Sequence, residues 1–262
     1  MKIIVCIKQV PATTEAKIDP VTKRIIREGT QAVLNPFDLY AIEEAVSLKE
    51  QCGGEVIALS MGPENAKKAL TEALSMGADE AILLSDRAFG GSDTWATGYA
   101  LAKAIETIGG ADLIICGRQA IDGDTAQVGP VIASKLGIMQ AANVMKTVSA
   151  EGGSFTFHRM NESGFDEVRL TAPALITVLK DINGPRIPTL RNARRARAAE
   201  IKVWKPDDIG ADPAMIGLAA SPTRVVKTQP QTSRNTDTFR IEGEPRDAAK
   251  ALAGELLRRK LF

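Results

Sequence analysis

The feature that most restricts the fold of this chain is an alternation. Short runs rich in Ile, Val and Leu occur at residues 2–8 (KIIVCIK), 55–60 (EVIALS), 80–84 (EAILL) and 112–116 (DLIIC), and each is followed by a longer stretch with helical period or by polar turn residues. Runs that are apolar on both faces suit strands buried from both sides, and such strands belong to parallel sheets covered by helices. Strand and helix in turn then predict an α/β domain with a mainly parallel sheet and helices on both faces.

The punctuation supports this reading. Asn35-Pro36 opens a helix, with Asn as a cap type and Pro suited to the first turn, and Ala41, Ile42, Ala45, Val46 and Leu48 form its inward face before Gly53-Gly54 ends it. Further helices are predicted over 63–76, closed by Gly77, over 94–108, capped by Asp93 or Ser92, and over 125–136, closed by Gly137. Residues 11–30 are polar, and IDPVTKRIIREG reads as a small hairpin. After Asn143 the pattern changes: 144–148, 154–159 and 167–170 alternate as antiparallel strands do, and 173–180 (PALITVLK) reads as a fifth buried strand. The α/β domain is therefore predicted over 1–184, with small antiparallel additions.

Residues 185–262 have a different character. Arg186, Arg191, Arg194, Arg195 and Arg197 fall within twelve residues, and either a solvated helix face or a partner-docking surface fits them. Residues 221–238 read as an extended polar arm. The segment 245–261 is an amphipathic helix with Ala248, Ala251, Leu252, Leu256 and Leu257 on one face. An arm and a terminal amphipathic helix need another surface, so a partner chain is expected.

Composition narrows the function. Net charge is +1 and aromatics are 4%, which argues against a nucleic-acid partner. One histidine, His158, and three separated cysteines, Cys6, Cys52 and Cys116, leave little material for a metal cluster or a histidine triad, so no metal is expected. No apolar run is long enough for a membrane span, and the N-terminus reads as a strand, so no membrane insertion and a cytoplasmic location are expected.

In an open α/β sheet, ligands sit beyond the carboxyl ends of the strands. Four predicted loops lie there: 6–10, 61–63, 85–93 and 117–124. The most informative is 117–129, GRQAIDGDTAQVG. It joins a buried strand to a helix start, where free backbone N–H groups and the helix dipole favour an anion. Asp122 and Asp124 are cap types, Gly117 and Gly123 permit positive φ, and Gln119, Thr125 and Gln127 add hydrogen-bonding groups. The stretch reads either as a phosphate or pyrophosphate cradle or as an ordinary capped turn, since it is neither a Walker loop nor a GxGxxG fingerprint.

Several stretches together resemble one family. VCIKQVP, AVLNPFDLYAIEEAVSLKE, ALSMGP, ALSMGADEAILLSDRAF, LIICGRQAIDGDTAQVGP and PRIPTLRNARRA span most of the chain, and GRQAIDGDTAQ is the most specific of them. The chain resembles the β (small) subunits of electron transfer flavoproteins. The resemblance implies a Rossmann-like, adenine-nucleotide-binding fold, a C-terminal arm wrapping an α subunit that carries its own FAD, and a second nucleotide in the β subunit. That nucleotide is AMP in plain carriers and FAD in electron-bifurcating members. The implied contacts are Cys6; Asn35, Pro36, Phe37 and Asp38; Met61; and Gly117, Arg118, Gln119, Ala120, Ile121, Asp122, Gly123, Asp124, Thr125, Ala126, Gln127 and Val128.

The stretch 85–97, SDRAFGGSDTWAT, resembles the bifurcating members, in which a DTxAT element accompanies the second FAD. Asp93, Thr94 and Thr97 are its candidate contacts, through the helix N–H groups and the two hydroxyls; the alternative is that Asp93 and Thr94 only cap the helix. Its GGSDT also resembles an ATP pyrophosphatase loop, but that loop follows a first strand and this one follows the third. The resemblance further implies docking of an acyl-CoA dehydrogenase-type flavoenzyme at Leu190, Arg191 and Asn192, with Leu190 as the apolar anchor. In a bifurcating member, NADH gives a hydride to the β-bound FAD; one electron then passes through α-FAD to the dehydrogenase and the other to ferredoxin or flavodoxin. NADH oxidation would belong to the αβ complex, and no side chain is assigned as nucleophile or general acid/base. A one-flavin carrier with structural AMP and a nucleotide-binding regulatory module are the alternative readings.

Overall fold

The computed structural model describes residues 1–12, 32–226 and 240–261, so the predicted hairpin within 11–30 lies almost wholly outside the described residues, as does most of the predicted arm. Contacts group Met1–Thr228 in one compact unit and Gln229–Phe262 in another.

In the first unit the strands are β1 (Lys2–Cys6), β2 (Gln9–Pro11), β3 (Ala32–Leu34), β4 (Glu55–Met61), β5 (Glu80–Leu84), β6 (Leu113–Gly117), β7 (Met139–Glu151), β8 (Ser154–Met160), β9 (Phe165–Thr171), β10 (Ala174–Val178) and β11 (Lys202–Trp204). Its helices are α1 (Pro36–Cys52), α2 (Lys67–Met76), α3 (Thr94–Ile108), α4 (Val128–Leu136), α5 (Leu190–Ala198) and the single turn α6 (Gly217–Ala220). Nine strands form one sheet in the order β11-β5-β4-β1-β6-β10-β7-β8-β9, and β2 and β3 form a separate antiparallel pair. Pairing is parallel from β11 to β7 and antiparallel for β7-β8 and β8-β9. The α/β fold read from the sequence is the observed one.

Successive residues of each central strand face opposite cores, as period 2 requires. Ile3, Val5, Val56, Ala58 and Ile115 pack with Ile42 and Ala45 of α1 and Leu70 and Leu74 of α2. Ile4, Ile57, Leu59 and Ile114 pack on the other side with Leu101 and Ile105 of α3 and Ile132 of α4. The last two helices cross closely: a Cβ on Gly98 would lie 2.4 Å from Val131 Cγ1, so only glycine fits there.

Three elements differ from the sequence reading. The predicted strand 144–148 is the middle of the longer β7, which begins parallel to β10 and continues antiparallel to β8; Asn143, at φ 59°, lies next to the irregularity between the two. β11, within the expected docking region, adds to the sheet edge beside β5. The helix predicted from Thr125 begins at Val128, with Gln127 at its cap position, and Asp122 and Asp124 do not cap it. Pro130 explains the shift. In a helix starting at 125 it would sit in the interior, remove a hydrogen bond and clash with the preceding turn; in the observed helix it falls in the first turn, where its missing N–H costs nothing.

The second unit contains α7 (Pro245–Arg258), close to the predicted 245–261. Leu252, Leu257 and Leu261 are exposed. Among the described residues no helix is long and apolar enough to cross a membrane.

Candidate functional site at the β1–β6 crevice

The chain runs from β1 outward through β4 and β5, then returns across the sheet to place β6 on the other side of β1. At such a reversal an open α/β sheet leaves its ligand crevice, beyond the carboxyl ends of the strands, here β1 and β6. Cys6 and Cys116 are register partners at its floor, both buried and both free thiols. Their mutual hydrogen bond, with burial, holds the Cys116 thiol well above its ordinary pKa.

One wall is the start of α1. Asn35 precedes it, Pro36 takes the first helical position, and Asp38 lies in the first turn. Asn35 and Asp38 are buried polar residues, and their partners account for this. Asp38 Oδ2 accepts from the Lys8 backbone N–H at 2.7 Å, and Asp38 Oδ1 accepts from Asn35 Nδ2 at 2.9 Å. Asn35 Nδ2 also donates to the Gln119 carbonyl at 2.9 Å, while Asn35 Oδ1 accepts from the Ile121 N–H at 3.2 Å. Burial pushes the Asp38 carboxyl up to about 7, against the lowering effect of its hydrogen bonds to Asn35, Lys8 and Gly117.

The opposite wall is the loop from Gly117 to Gln127. Gly117 is the last residue of β6, and a Cβ on it would lie 2.3 Å from Asp38 Oδ1 and 2.9 Å from the Phe37 carbonyl carbon. Its role is close approach and not the positive φ expected from the sequence. Positive φ falls on Asp124 (52°) and Ala126 (54°), and Gly123 does not adopt it. Asp122 pairs with Lys8 Nζ at 2.8 Å, and Gln119 Nε2 donates to Asp124 Oδ1. Residues 122–127 are exposed. Among the described residues no acceptor meets the backbone N–H groups of Thr125, Ala126, Gln127 or Val128.

The 85–97 stretch adds a second helix start. Asp93 caps α3 as expected: its Oδ1 accepts from Trp95 and Ala96 N–H at 3.0 and 3.1 Å. Its Oδ2 accepts from the Thr223 N–H and hydroxyl at 3.0 and 2.9 Å. Burial works against this carboxylate, but the four bonds outweigh it and hold its pKa below the ordinary value. Thr94 Oγ1 donates to Gln127 Oε1 at 2.9 Å, which ties the start of α3 to the start of α4. Thr97 is half-buried one turn into α3, and Met61 ends β4 beside β1.

Some positions went unread in the sequence. Lys8 holds both walls, and Ser221, buried, accepts from the Asp93 N–H at 2.9 Å and donates to the Gly217 carbonyl at 2.8 Å. A polar residue closing an apolar strand could have pointed to Lys8. Nothing local points to Ser221 or Thr223, because their partners lie about 130 residues earlier.

Away from the crevice, Thr189 caps α5, so Leu190 opens that helix and is 74% exposed beside Ile187 at 91%. Two members of the arginine run are not free surface charges. Arg186 is forked between Glu43 (2.8 and 2.9 Å) and Glu50 (2.6 and 3.0 Å), and Arg195 donates to the Leu74 and Ala78 carbonyls at 3.1 and 3.0 Å. Two concavities, about 260 and 540 Å³, lie at the amino ends of the strands, lined in part by Met1, Cys52 and Gly152 and by Lys2, Gly109 and Leu136; no candidate residue lines either. Among the described residues no cluster of His, Cys, Asp or Glu could hold a metal ion.

The electron transfer flavoprotein domain matches residues 22–209. The chain is 48% identical over 258 residues to the electron transfer flavoprotein subunit beta of Thermoanaerobacterium thermosaccharolyticum, covering 98% of both chains. It is 49% identical over 242 residues to the subunit of the same name in Megasphaera elsdenii, covering 89% of each. It is 47% identical over 229 residues, 87% of each, to the caffeyl-CoA reductase-Etf complex subunit CarD of Acetobacterium woodii.

Proposed function

Because this chain belongs to the electron transfer flavoprotein family, among its β subunits, we propose that it binds FAD in the β1–β6 crevice and serves electron bifurcation within an αβ heterodimer. The residues present fit a dinucleotide. Open N–H groups at 125–128 and the positive end of α4 suit a pyrophosphate, and the joined start of α3 widens the polar surface. Cys6, Asn35, Pro36, Phe37, Asp38 and Met61 would frame the adenosine half; Gly117 to Val128 would hold the phosphates; Asp93, Thr94 and Thr97 would face the second half. When bound, FAD supplies the redox chemistry, with NADH as donor. The chain's own part is to bind, orient and tune electrostatically.

Residues 185–262 serve contact with partners in this reading. The partner carrying the second FAD is the electron transfer flavoprotein α subunit. The electron acceptors are an acyl-CoA dehydrogenase-type flavoenzyme, docked at Leu190 with Arg191 and Asn192 on the rim, and ferredoxin or flavodoxin. An exposed leucine flanked by arginines suits an apolar anchor with a charged rim. The name of the Acetobacterium woodii relative, which places that protein in a caffeyl-CoA reductase complex, supports a partner acting on a CoA thioester.

The single observation that carries the FAD reading is the Thr94–Gln127 bridge, which brings the 85–97 stretch to the same crevice as the 117–128 loop. The test is the nucleotide content of the copurified heterodimer, by absorbance after denaturation and chromatography of what is released. Two FAD and no AMP are expected. One FAD and one AMP would reject bifurcation and leave a one-flavin carrier, and a heterodimer without flavin would leave only a nucleotide-binding module.

A further inference from the structure

Three donors enclose the Asp38 carboxylate: the Lys8 peptide N–H, the Asn35 amide and the backbone of Gly117. The residue is 5% exposed, so its oxygens are spent on the protein. Asn35 carries the arrangement onward, since its NH2 donates to both Asp38 and Gln119 and its oxygen accepts from the Ile121 N–H. The Asn35 amide is oriented by two pure acceptors on its Nδ2 side, the Asp38 carboxylate and the Gln119 carbonyl, and by the Ile121 N–H at its oxygen; of the three, Asp38 is the one that ties the amide to α1 and not to the loop itself.

We propose that Asp38 is a positioning residue: by holding Asn35 in one orientation, its carboxylate sets the backbone of residues 119–121 and so the shape of the crevice that receives the nucleotide. It acts through Asn35, its own two oxygens being taken by donors of the protein. This deepens the nucleotide-binding reading and rests on it.

An ionised carboxyl accepts strongly at both oxygens. Once Asp38 is protonated, the oxygen that carries the hydrogen becomes a much weaker acceptor, and the bond it receives from Lys8 or Asn35 weakens. Because burial places its titration near 7, crevice order follows pH across neutrality. The charged or titratable groups around it are Cys6 and Cys116 at the ends of β1 and β6, and Lys8, whose ammonium is paired with Asp122. The Cys116 thiol is pushed well above its ordinary range and stays neutral through this interval.

A contact at the phosphates and a positioning role predict opposite signs, and a contact to the adenosine half is set apart by amide exchange at Ile121 in the ligand-free protein, which such a contact would not move. A carboxylate touching a phosphate-bearing ligand repels it more as it ionises. A carboxylate organising the loop raises affinity as it ionises, by about tenfold between pH 6 and 8 when the competent fraction goes from roughly one tenth to nine tenths. Asp38→Asn keeps shape but sets an N–H against a donor, and Asn35→Ser cuts the link while leaving Asp38 in place.

The experiment uses the copurified heterodimer stripped of its β-site nucleotide, with AMP as the probe, titrated at pH 6, 7 and 8. The phosphate of AMP also titrates near 6, so affinities are read as the ratio of wild type to variant at each pH. The expected result is an affinity ratio to D38N that grows about tenfold from pH 6 to 8, and the same growth against N35S. Tighter AMP binding by D38N at pH 8, or an unchanged ratio, would overturn the proposal. Amide exchange at Ile121 is measured on the same proteins without ligand. Its protection should fall at least several-fold in D38N and N35S at pH 8, and unchanged protection would equally overturn the proposal. If wild type binds no AMP at any pH, the nucleotide reading fails by itself, and the exchange data still decide the Asp38–Asn35 link.

Discussion

The two glycines of the crevice loop should respond very differently to a methyl group. At Gly117 a Cβ would sit 2.3 Å from Asp38 Oδ1 and 2.9 Å from both the carbonyl carbon and Cβ of Phe37. Normal contact needs about 1 Å more. All three obstacles lie at the Phe37–Asp38 start of α1, and two of them, the Phe37 carbonyl carbon and Cβ, are fixed to the backbone and cannot rotate away. Relief must push that first turn outward and draw Asp38 off Lys8 N–H and Asn35. Overpacking of this kind costs about 1–3 kcal/mol, and a lost hydrogen bond to a charged group about 1.5–3 more. A total near 3 kcal/mol lowers the thermal midpoint of a chain this size by roughly 6–12 °C. Gly123 has nothing within 4 Å of its Cβ position and does not adopt positive φ, so Gly123→Ala should stay within about 0.5 kcal/mol. Thermal melts of the heterodimer, with nucleotide content from the same samples, decide it. A Gly117→Ala protein melting within 2 °C of wild type, or as little affected as Gly123→Ala, would refute the close-approach argument.

Two further perturbations follow from charged groups. Arg186 bridges Glu43 and Glu50 immediately before the exposed Ile187–Leu190 segment, and lysine cannot span both carboxylates, so Arg186→Lys should slow reduction of the dehydrogenase partner while nucleotide content stays unchanged. Equal partner-reduction rates in stopped-flow traces would sink that link. The raised Asp38 pKa stabilises the ligand-free fold fully below the ordinary Asp value and is lost as pH rises through about 7. From pH 6 to 8 this removes about 1.4 kcal/mol, so the ligand-free thermal midpoint should fall over that interval in wild type and stay flatter in Asp38→Asn. Glu43 has the opposite sign. Burial raises its pKa but the bonds from Arg186 and Ser47 win, so its contribution is present at neutral pH and lost only in acid.

What could be read in advance follows from range. Strands such as IIVC and LIIC are apolar on both faces because both faces are covered, and that signature is local. The Asp93 cap is local too. β7 escaped because its neighbours change along its length, from β10 on one side to β8 on the other, so no single alternation describes it. β11 has three residues at an edge, too few for any period. Cap-type residues at 122–125 point to a helix start three residues before the observed one, and Pro130 carries the correcting signal. The Arg186 fork joins residues 136 and 143 apart, and Thr223 reaches Asp93 across 130; no local pattern encodes such partners.

Asp38 puts fold stability and site geometry in opposition. Ionised, it satisfies both Lys8 and Asn35 and fixes the loop, but a buried charge weakens the fold. Protonated, it strengthens the fold and loosens the loop. An apolar residue at this position would avoid the cost, yet it would leave the Lys8 N–H and one Asn35 N–H without acceptors in a buried place. Those donors are the ones that join β1 to α1 and α1 to the loop after β6. The same crevice that a parallel sheet opens at its point of reversal therefore needs an acceptor at its base, and a carboxylate in the first turn of α1 is the position where the helix dipole offsets part of the burial cost.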